Sequence, residues 1–304
     1  MSSTEQTSFG DLTIPLDLGP IWYEPALESV KKLAYAVEDE SGWLVGDPSA
    51  CMVHPHFLAT YMWWPSGFYL REPGAKGLFA IFHERYPWLV GRPFLHAKTT
   101  GRFHRPFRAG TRIRADVSVV EKYVRRSRDF IIMRARFHDA QEQLIAEYDH
   151  TVAIRSQAIK GAASGERRAA EQAPAPLPAG RELPQRHITM SLEKSRLFTL
   201  PVENYHTHDA AAQAMGLRVA VPAAMMSFGY LSRHCDEFFG PAWVSSGELN
   251  VVFTRMLARD DVLTVHGTAR TEPSGSGRST IDVGIRNARG EAVAVASASA
   301  LTGQ

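Results

Sequence analysis

Cysteine is scarce in this 304-residue chain: Cys51 and Cys235 are its only two, far apart and without a C-x-x-C pair. No disulfide framework or cysteine-rich zinc site can be built from them, and both read as buried, reduced thiols. An excess of either charge is also missing, since 34 Lys plus Arg face 32 Asp plus Glu. No global field therefore invites nucleic acid or an anionic membrane. Long apolar runs are absent too. The longest, VAVPAAMMSFGYL (219–231), falls short of the ~20 residues that a bilayer-spanning helix needs. The opening MSSTEQTSFGDLTIP has neither a basic n-region nor an apolar h-region, so no secretion signal is expected and the expected location is the cytoplasm. What the chain does have is 44% apolar residues, enough for two linked cores at this length.

Residues 155–187, RSQAIKGAASGERRAAEQAPAPLPAGRELPQRH, are rich in Ala, Pro, Gly and charge and lack sustained apolar periodicity. They read as a surface linker between two halves. The halves resemble one another. At an offset of 150, GRFHRPFRAGTRIRADVSVV (from Gly101) lies over the stretch from Val251, matching Phe103 with Phe253 and Arg105 with Arg255. At an offset of 148, DAQEQLIAEYDHTVAI (139–154) lies over NARGEAVAVASASALT (287–302). Fixed-offset similarity of this kind is the mark of duplication.

Each half closes in runs of period-two alternation: RIRADVSVVEKY, DFIIMRARFHD and LIAEYDHTVAI, then VLTVHGTART, STIDVGIRN and AVAVASASAL. Turn signals such as PSGSGR and NARGE separate them, which predicts antiparallel meanders. RRSR (125–128) reads as a solvated basic hairpin tip rather than a nucleic-acid site. Ahead of each meander the spacing turns helical, clearest in the second half. DAAAQAMG ends on a Gly C-cap signal, and PAAMMSFGYLSRHCDEFFG runs from Pro222 to Gly240, small and apolar nearly all round. Such a helix is wrapped by other elements rather than laid on a surface. An apolar helix followed by an antiparallel sheet, twice over, describes an α+β double hotdog, each sheet curled around a helix. The expected boundaries are a tail at 1–20, an N-terminal hotdog at 21–154, the linker at 155–187 and a C-terminal hotdog at 188–304.

The stretch with the most chemistry is NYHTHDAAAQAMG (204–216), which gathers Asn204, His206, His208 and Asp209 before a helix. Two histidines alone do not make a metal centre, because zinc and iron sites add further ligands at fixed spacing; no metal is expected. In the first half, HPHF (54–57) precedes LATYMWWPSGFYL. It reads as a turn at Pro55 and a loop wall of pocket-lining aromatics, with His54 and His56 as further candidates for ligation or proton transfer.

On FHRPFRAG (103–110), NYHTHDAAAQAMGL (204–217), FFGPAW (238–243) and GELNVVFTRMLARDDVLT (247–264), the chain resembles the MaoC-like hydratase/dehydratase family. Within it, the resemblance is to the double-hotdog type whose N-terminal half is of the fatty-acid-synthase dehydratase kind. It covers nearly everything beyond the tail and linker. It implies a lyase of fatty acid metabolism that reversibly adds water to an α,β-unsaturated acyl thioester. It also implies no cofactor beyond the coenzyme A or phosphopantetheine of the substrate, no nucleic-acid or membrane partner, and a homodimer or higher homo-oligomer. On this resemblance His206 is the proton-transferring residue and Asn204 positions water. Glu203, His208 and Asp209 are the groups near enough in sequence to partner the histidine, and Asp209 equally suits a helix first turn. Ala223, Ala224 and Met225, at the start of the apolar helix, form the expected oxyanion region. Arg105 and Arg255 are candidates for the phosphates of coenzyme A or for ion pairs at strand starts.

The family motif is Asp-x-Asn-x-x-His-x-Asp, and this chain departs from it. Pro201 stands at the first Asp position, Glu203 at the Asn position and His208 at the last Asp position. Ala223-Ala224 replaces a polar residue and Gly. These departures leave open a diverged hotdog protein that binds acyl thioesters or serves as a partner subunit, and, third, a thioesterase.

Overall fold

A computed structural model describes residues 8–39, 52–53, 55–63, 69–70, 78–92, 94–154, 180–199, 203–270 and 277–301. In the first half, β1 (Leu16–Asp17) and β2 (Ile21–Pro25) lead into helix α1 (Leu27–Ala36). Then come β3 (Met52–Val53), a 3-10 segment (Pro55–Trp63), β4 (Tyr69–Leu70) and α2 (Leu78–Arg85). The long strands follow: β5 (Phe94–Phe103), the short β6 (Phe107–Arg108), β7 (Ile113–Arg125), β8 (Arg128–Asp139) and β9 (Leu144–Ile154). The second half has β10 (Arg181–Glu182), β11 (Arg186–Thr189) and four helices: α3 (Leu192–Phe198), α4 (Asp209–Ala214), α5 (Met225–Phe239) and α6 (Pro241–Ser246). It ends in β12 (Glu248–Phe253), β13 (Val262–Ala269), β14 (Arg278–Arg286) and β15 (Ala292–Leu301).

The alternating runs become the strands for the expected reason. Along β7 the buried positions are Ile113, Ala115, Val117 and Val119, every second residue, so one face meets the core and the other meets water. The RRSR tip is a two-residue hairpin in which Arg126 and Ser127 both take positive φ, 50° and 56°, the backbone twist that suits a tight antiparallel turn.

The two meanders join edge to edge. Among the described residues one antiparallel sheet runs β10-β13-β14-β15-β12-β5-β9-β8-β7-β2-β4, with β1 on β7 and β11 on β13. The central contact, β12 with β5, pairs Glu248 with Arg102 and Val252 with Lys98. With the halves offset by 150, Thr100 and Asn250 are equivalents that face each other, so the local two-fold axis passes through that pair. Thr100 Oγ1 donates to Asn250 Oδ1 at 2.7 Å. The duplication extends to single hydrogen bonds. His104 N and Arg105 N donate to Ile145 O as Thr254 N and Arg255 N donate to Val293 O. The turns match as well: Asp139 Oδ1 accepts from Gln141 N and Gln143 N, and Asn287 Oδ1 from Arg289 N and Glu291 N.

Helix α5 is the wrapped element, with Met226, Phe228, Leu231, Ser232 and Cys235 fully enclosed. Its Gly229 lies against the end of α1, where a Cβ would stand 2.7 Å from Val37 Cγ1. It ends at Gly240, whose φ of 57° and ψ of −139° suit a residue without a Cβ.

The two halves differ in their helices. The first half has α1, the 3-10 segment and α2 where the helical spacing predicted a counterpart of α5, and the 3-10 segment packs on β5, β9 and α5. Pro55 and Pro65 bracket that apolar run, and proline interrupts a helix wherever it removes an N–H and crowds the preceding turn. At the ends of the halves, the stretch read as a tail carries β1 and buries Leu12, Leu16 and Leu18. Of the stretch read as linker, 155–179 lies outside the described residues, while β10 and the start of β11 pair with β13. No helix among the described residues is long and apolar enough to cross a membrane.

Candidate active site

His206 sits in a turn tied down on every side. Asn204 Oδ1 accepts the His206 N–H at 2.8 Å, the local bond that Asn makes readily to the backbone two residues on. Thr207 N and His208 N both donate to Asn204 O, and Thr207 Oγ1 accepts from Asn204 N. From α3, Ser195 Oγ donates to His206 O and Arg196 Nε to Thr207 O. Val221 N donates to Tyr205 O at 3.1 Å, and the Tyr205 ring lies 3.9 Å from that of His206.

The imidazole is held in one tautomer. Its Nδ1 is 2.7 Å from Val221 O. A carbonyl only accepts, so Nδ1 carries the hydrogen and Nε2 keeps its lone pair. Burial lowers the pKa of His206 to about 4, against a smaller opposite push from Val221 O, so the ring is neutral at physiological pH. A neutral, oriented Nε2 is what a general base requires.

The start of α5 follows Val221 by four residues. Met226 N and Ser227 N donate to Ala223 O and Ala224 O, so the N–H groups of Ala223, Ala224 and Met225 precede the helical ladder. Ala223 and Met225 are buried. The expected oxyanion region is thus a helix N-terminus, with its dipole's positive end, tied through Val221 to the candidate base.

The carboxylates proposed as partners from sequence are turned to other tasks. Asp209, in the first turn of α4, accepts from Ala220 N at 2.8 Å and from Arg259 Nη1 at 3.0 Å, which hold its pKa below the usual carboxylate range. It closes the loop between α4 and α5. Glu203 is exposed and lies 3.8 Å from His208 Nε2. His208 caps α4 by position, with Nδ1 2.8 Å from Thr207 Oγ1. No carboxylate among the described residues is hydrogen-bonded to His206. Arg105 and Arg255 stand at equivalent places just past the ends of β5 and β12 rather than at strand starts, paired with Asp139 at 3.5 Å and Glu291 at 3.3 Å, and both are a little under half exposed. His56 is enclosed beside Gly229 of α5; His54 and Pro201 lie outside the described residues. No cluster of His, Cys, Asp or Glu among the described residues is arranged to hold a metal.

The first half contributes polar groups that the sequence reading passed over. His150 on β9 is fully buried, its pKa lowered to about 3 by that burial. Its Nδ1 lies 2.9 Å from Thr99 Oγ1, and Thr99 in turn donates to Met225 Sδ at 3.8 Å. A signal for His150 was present: Tyr148, His150 and Val152 alternate on one face of β9, which puts an ionisable ring on an apolar stripe. His96 on β5 stands edge-on to His150, with centroids 5.6 Å apart, and to Phe253 of β12, at 5.9 Å.

Comparison with known proteins agrees with this architecture. No protein-family model matches the chain, and no curated protein matches its sequence. Solved structures do. A MaoC-like dehydratase aligns over 93% of this chain and 96% of its own, at 16% identity and a TM-score of 0.68. A MaoC-like dehydratase from Phytophthora capsici aligns over 95% and 97%, at 14% identity and a TM-score of 0.66. A Mycobacterium tuberculosis protein described as having a double hotdog fold aligns over 96% and 97%, at 14% identity and a TM-score of 0.61. The chain is a double hotdog protein. It shares that fold, over nearly its whole length, with the MaoC-like dehydratases.

Proposed function

We propose that this protein is a hydro-lyase that adds water reversibly to an α,β-unsaturated acyl thioester, carried on coenzyme A or an acyl carrier protein, with His206 as its base. The observation that carries the reading is the bond of His206 Nδ1–H to Val221 O, which leaves Nε2 as a neutral acceptor beside the start of α5. In the hydration direction, Nε2 takes one proton from water while the water oxygen bonds to the β-carbon. The double-bond electrons move toward the thioester carbonyl, whose oxygen the N–H groups ahead of α5 would face. His206 then returns its proton to the α-carbon, so one base handles one proton. Asn204 acts by fixing the turn that aims the ring, since its Oδ1 holds the His206 N–H. The shared fold with MaoC-like dehydratases supports this reaction class. A homo-oligomer in the cytoplasm is part of the same reading.

Hydration of crotonyl-coenzyme A, followed by loss of the conjugated thioester absorbance, tests the reading. His206→Ala is expected to fold normally and lose about 10²–10⁴-fold in kcat/KM; unchanged turnover removes His206 from the chemistry. A second reading, an acyl-thioester binder without turnover, is favoured by the lack of a carboxylate bonded to His206. Saturable binding of acyl-coenzyme A with no water addition across short and long enoyl chains would establish it instead.

A further inference from the structure

The register of β5 changes beside the candidate site. His96 faces Val152 on β9, but Lys98 faces Thr151, so Ala97 is an extra residue in a β-bulge. Facing residues of an antiparallel pair point to the same side of the sheet. His96 therefore shares the inward side of Val152, and Thr99, which faces His150, shares the inward side of His150. In a regular strand, residues three apart point to opposite sides. The bulge alone brings His96 and Thr99 inside together. The second half has no strand at this place, since β12 begins at Glu248, the counterpart of Lys98, and the positions matching His96 and Ala97 are Ser246 at the end of α6 and Gly247. This is a local departure from the duplication, on the strand at the seam between the halves.

The inward His96 meets both halves: the rings of His150 at 5.6 Å and of Phe253 at 5.9 Å. Burial first, then the charges that His150 and His206 would carry, push its pKa well below the ordinary value, so it is neutral. Its neighbour His150 leads to the start of α5, because Thr99 Oγ1 lies 2.9 Å from His150 Nδ1 and 3.8 Å from Met225 Sδ. A neutral imidazole offers one N–H donor and one acceptor nitrogen, the pair that holds a water or a hydroxyl without taking its proton.

We infer that His96, delivered by the β-bulge at Ala97, is the group that binds the oxygen added to or removed from the β-carbon, so that the first half supplies the water-holding residue and the second half the base. The inference rests on the hydratase reading above. His96 stays neutral throughout: it hydrogen-bonds the water oxygen while His206 Nε2 takes the proton, and it hydrogen-bonds the 3-hydroxyl of the product. It fills a place for which the second half offers His206 no bonded carboxylate.

Two variants and two readouts test this. His96→Leu is expected to lower kcat for crotonyl-coenzyme A hydration by about tenfold or more with little change in KM, whereas His96→Gln, which keeps a donor and an acceptor, restores most of the loss. Binding is read in a His206→Ala background, where turnover is blocked. There, 3-hydroxybutyryl-coenzyme A is expected to bind more tightly than butyryl-coenzyme A by calorimetry, and adding His96→Leu should erase the difference. If the protein hydrates enoyl thioesters but His96→Leu leaves turnover and the hydroxyl preference within twofold, the role of His96 is overturned and the hydratase reading stands. If the wild type neither hydrates nor binds any thioester, the hydratase reading falls and takes this role with it.

Discussion

His206 shows how a backbone carbonyl sets side-chain chemistry. The ordinary pKa of histidine would leave a fraction of the ring protonated near neutral pH, but burial lowers it to about 4. The basic form then persists from alkaline pH down to that value. Turnover is expected to be level between pH 8 and 6 as far as His206 is concerned, and to fall through about pH 4. An acid limb centred near 6.5 in kcat/KM would show that a different group carries the proton. Asn204 makes a separate prediction, because it acts on His206 through the main chain. Asn204→Ala removes the bond to His206 N–H, with an expected cost of about 1 kcal/mol in stability and a fall in kcat. Asn204→Asp keeps an acceptor oxygen and should recover most of both. Equal losses in the two variants, from parallel unfolding and rate measurements, would mean that the amide nitrogen matters instead.

At the scale of elements, α5 organises both halves. Its N-terminus meets Val221 and Thr99, its middle meets α1 at Gly229, and Tyr230 Oη donates to Ala36 O at 3.1 Å. Trp243 of α6 stacks on Phe239 at its far end and donates from Nε1 to Ser232 Oγ at its middle. Gly229→Ala drives a methyl to within 2.7 Å of Val37, which is itself enclosed and has no room to yield. The expected loss is about 1–3 kcal/mol, read as a lower urea midpoint; an unchanged midpoint would mean that α1 moves freely against α5. This helix was legible in the sequence because it is small and apolar all round and bounded by Pro222 and Gly240. The six long meander strands were legible from strict alternation. The bulge in β5 was not, because LHAKTT has no local feature that specifies which residue is left unpaired. Register depends on what β9 and β12 present from far along the chain.

For the molecule as a whole, desolvated histidines are spread over both halves: His96 on β5, His150 on β9, His206 in the turn before α4 and His266 on β13. Burial, with smaller charge effects, lowers the pKa of His206 and His266 to about 4, that of His150 to about 3, and that of His96 well below its ordinary value. Unfolded, each titrates near 6.5, so between that pH and the folded values the unfolded chain binds more protons. Stability from these groups is complete above about pH 6.5 and is lost as pH falls, by up to about 1.4 kcal/mol per pH unit for each. Urea midpoints should therefore drop between pH 7 and pH 5, well before most carboxylates titrate; equal midpoints would show that these rings are solvated in the fold.

The sequence by itself determined the duplication, the two meanders, the wrapped helix and the turn that carries His206, because each is written in spacing, alternation or capping within a short stretch. Tertiary structure alone decided that Asp209 serves Ala220 and Arg259, that His206 leans on Val221, and that a bulge in β5 brings His96 against His150 and Phe253. Those outcomes depend on which distant backbone atoms arrive beside a side chain, and strand pairing across the seam sets that.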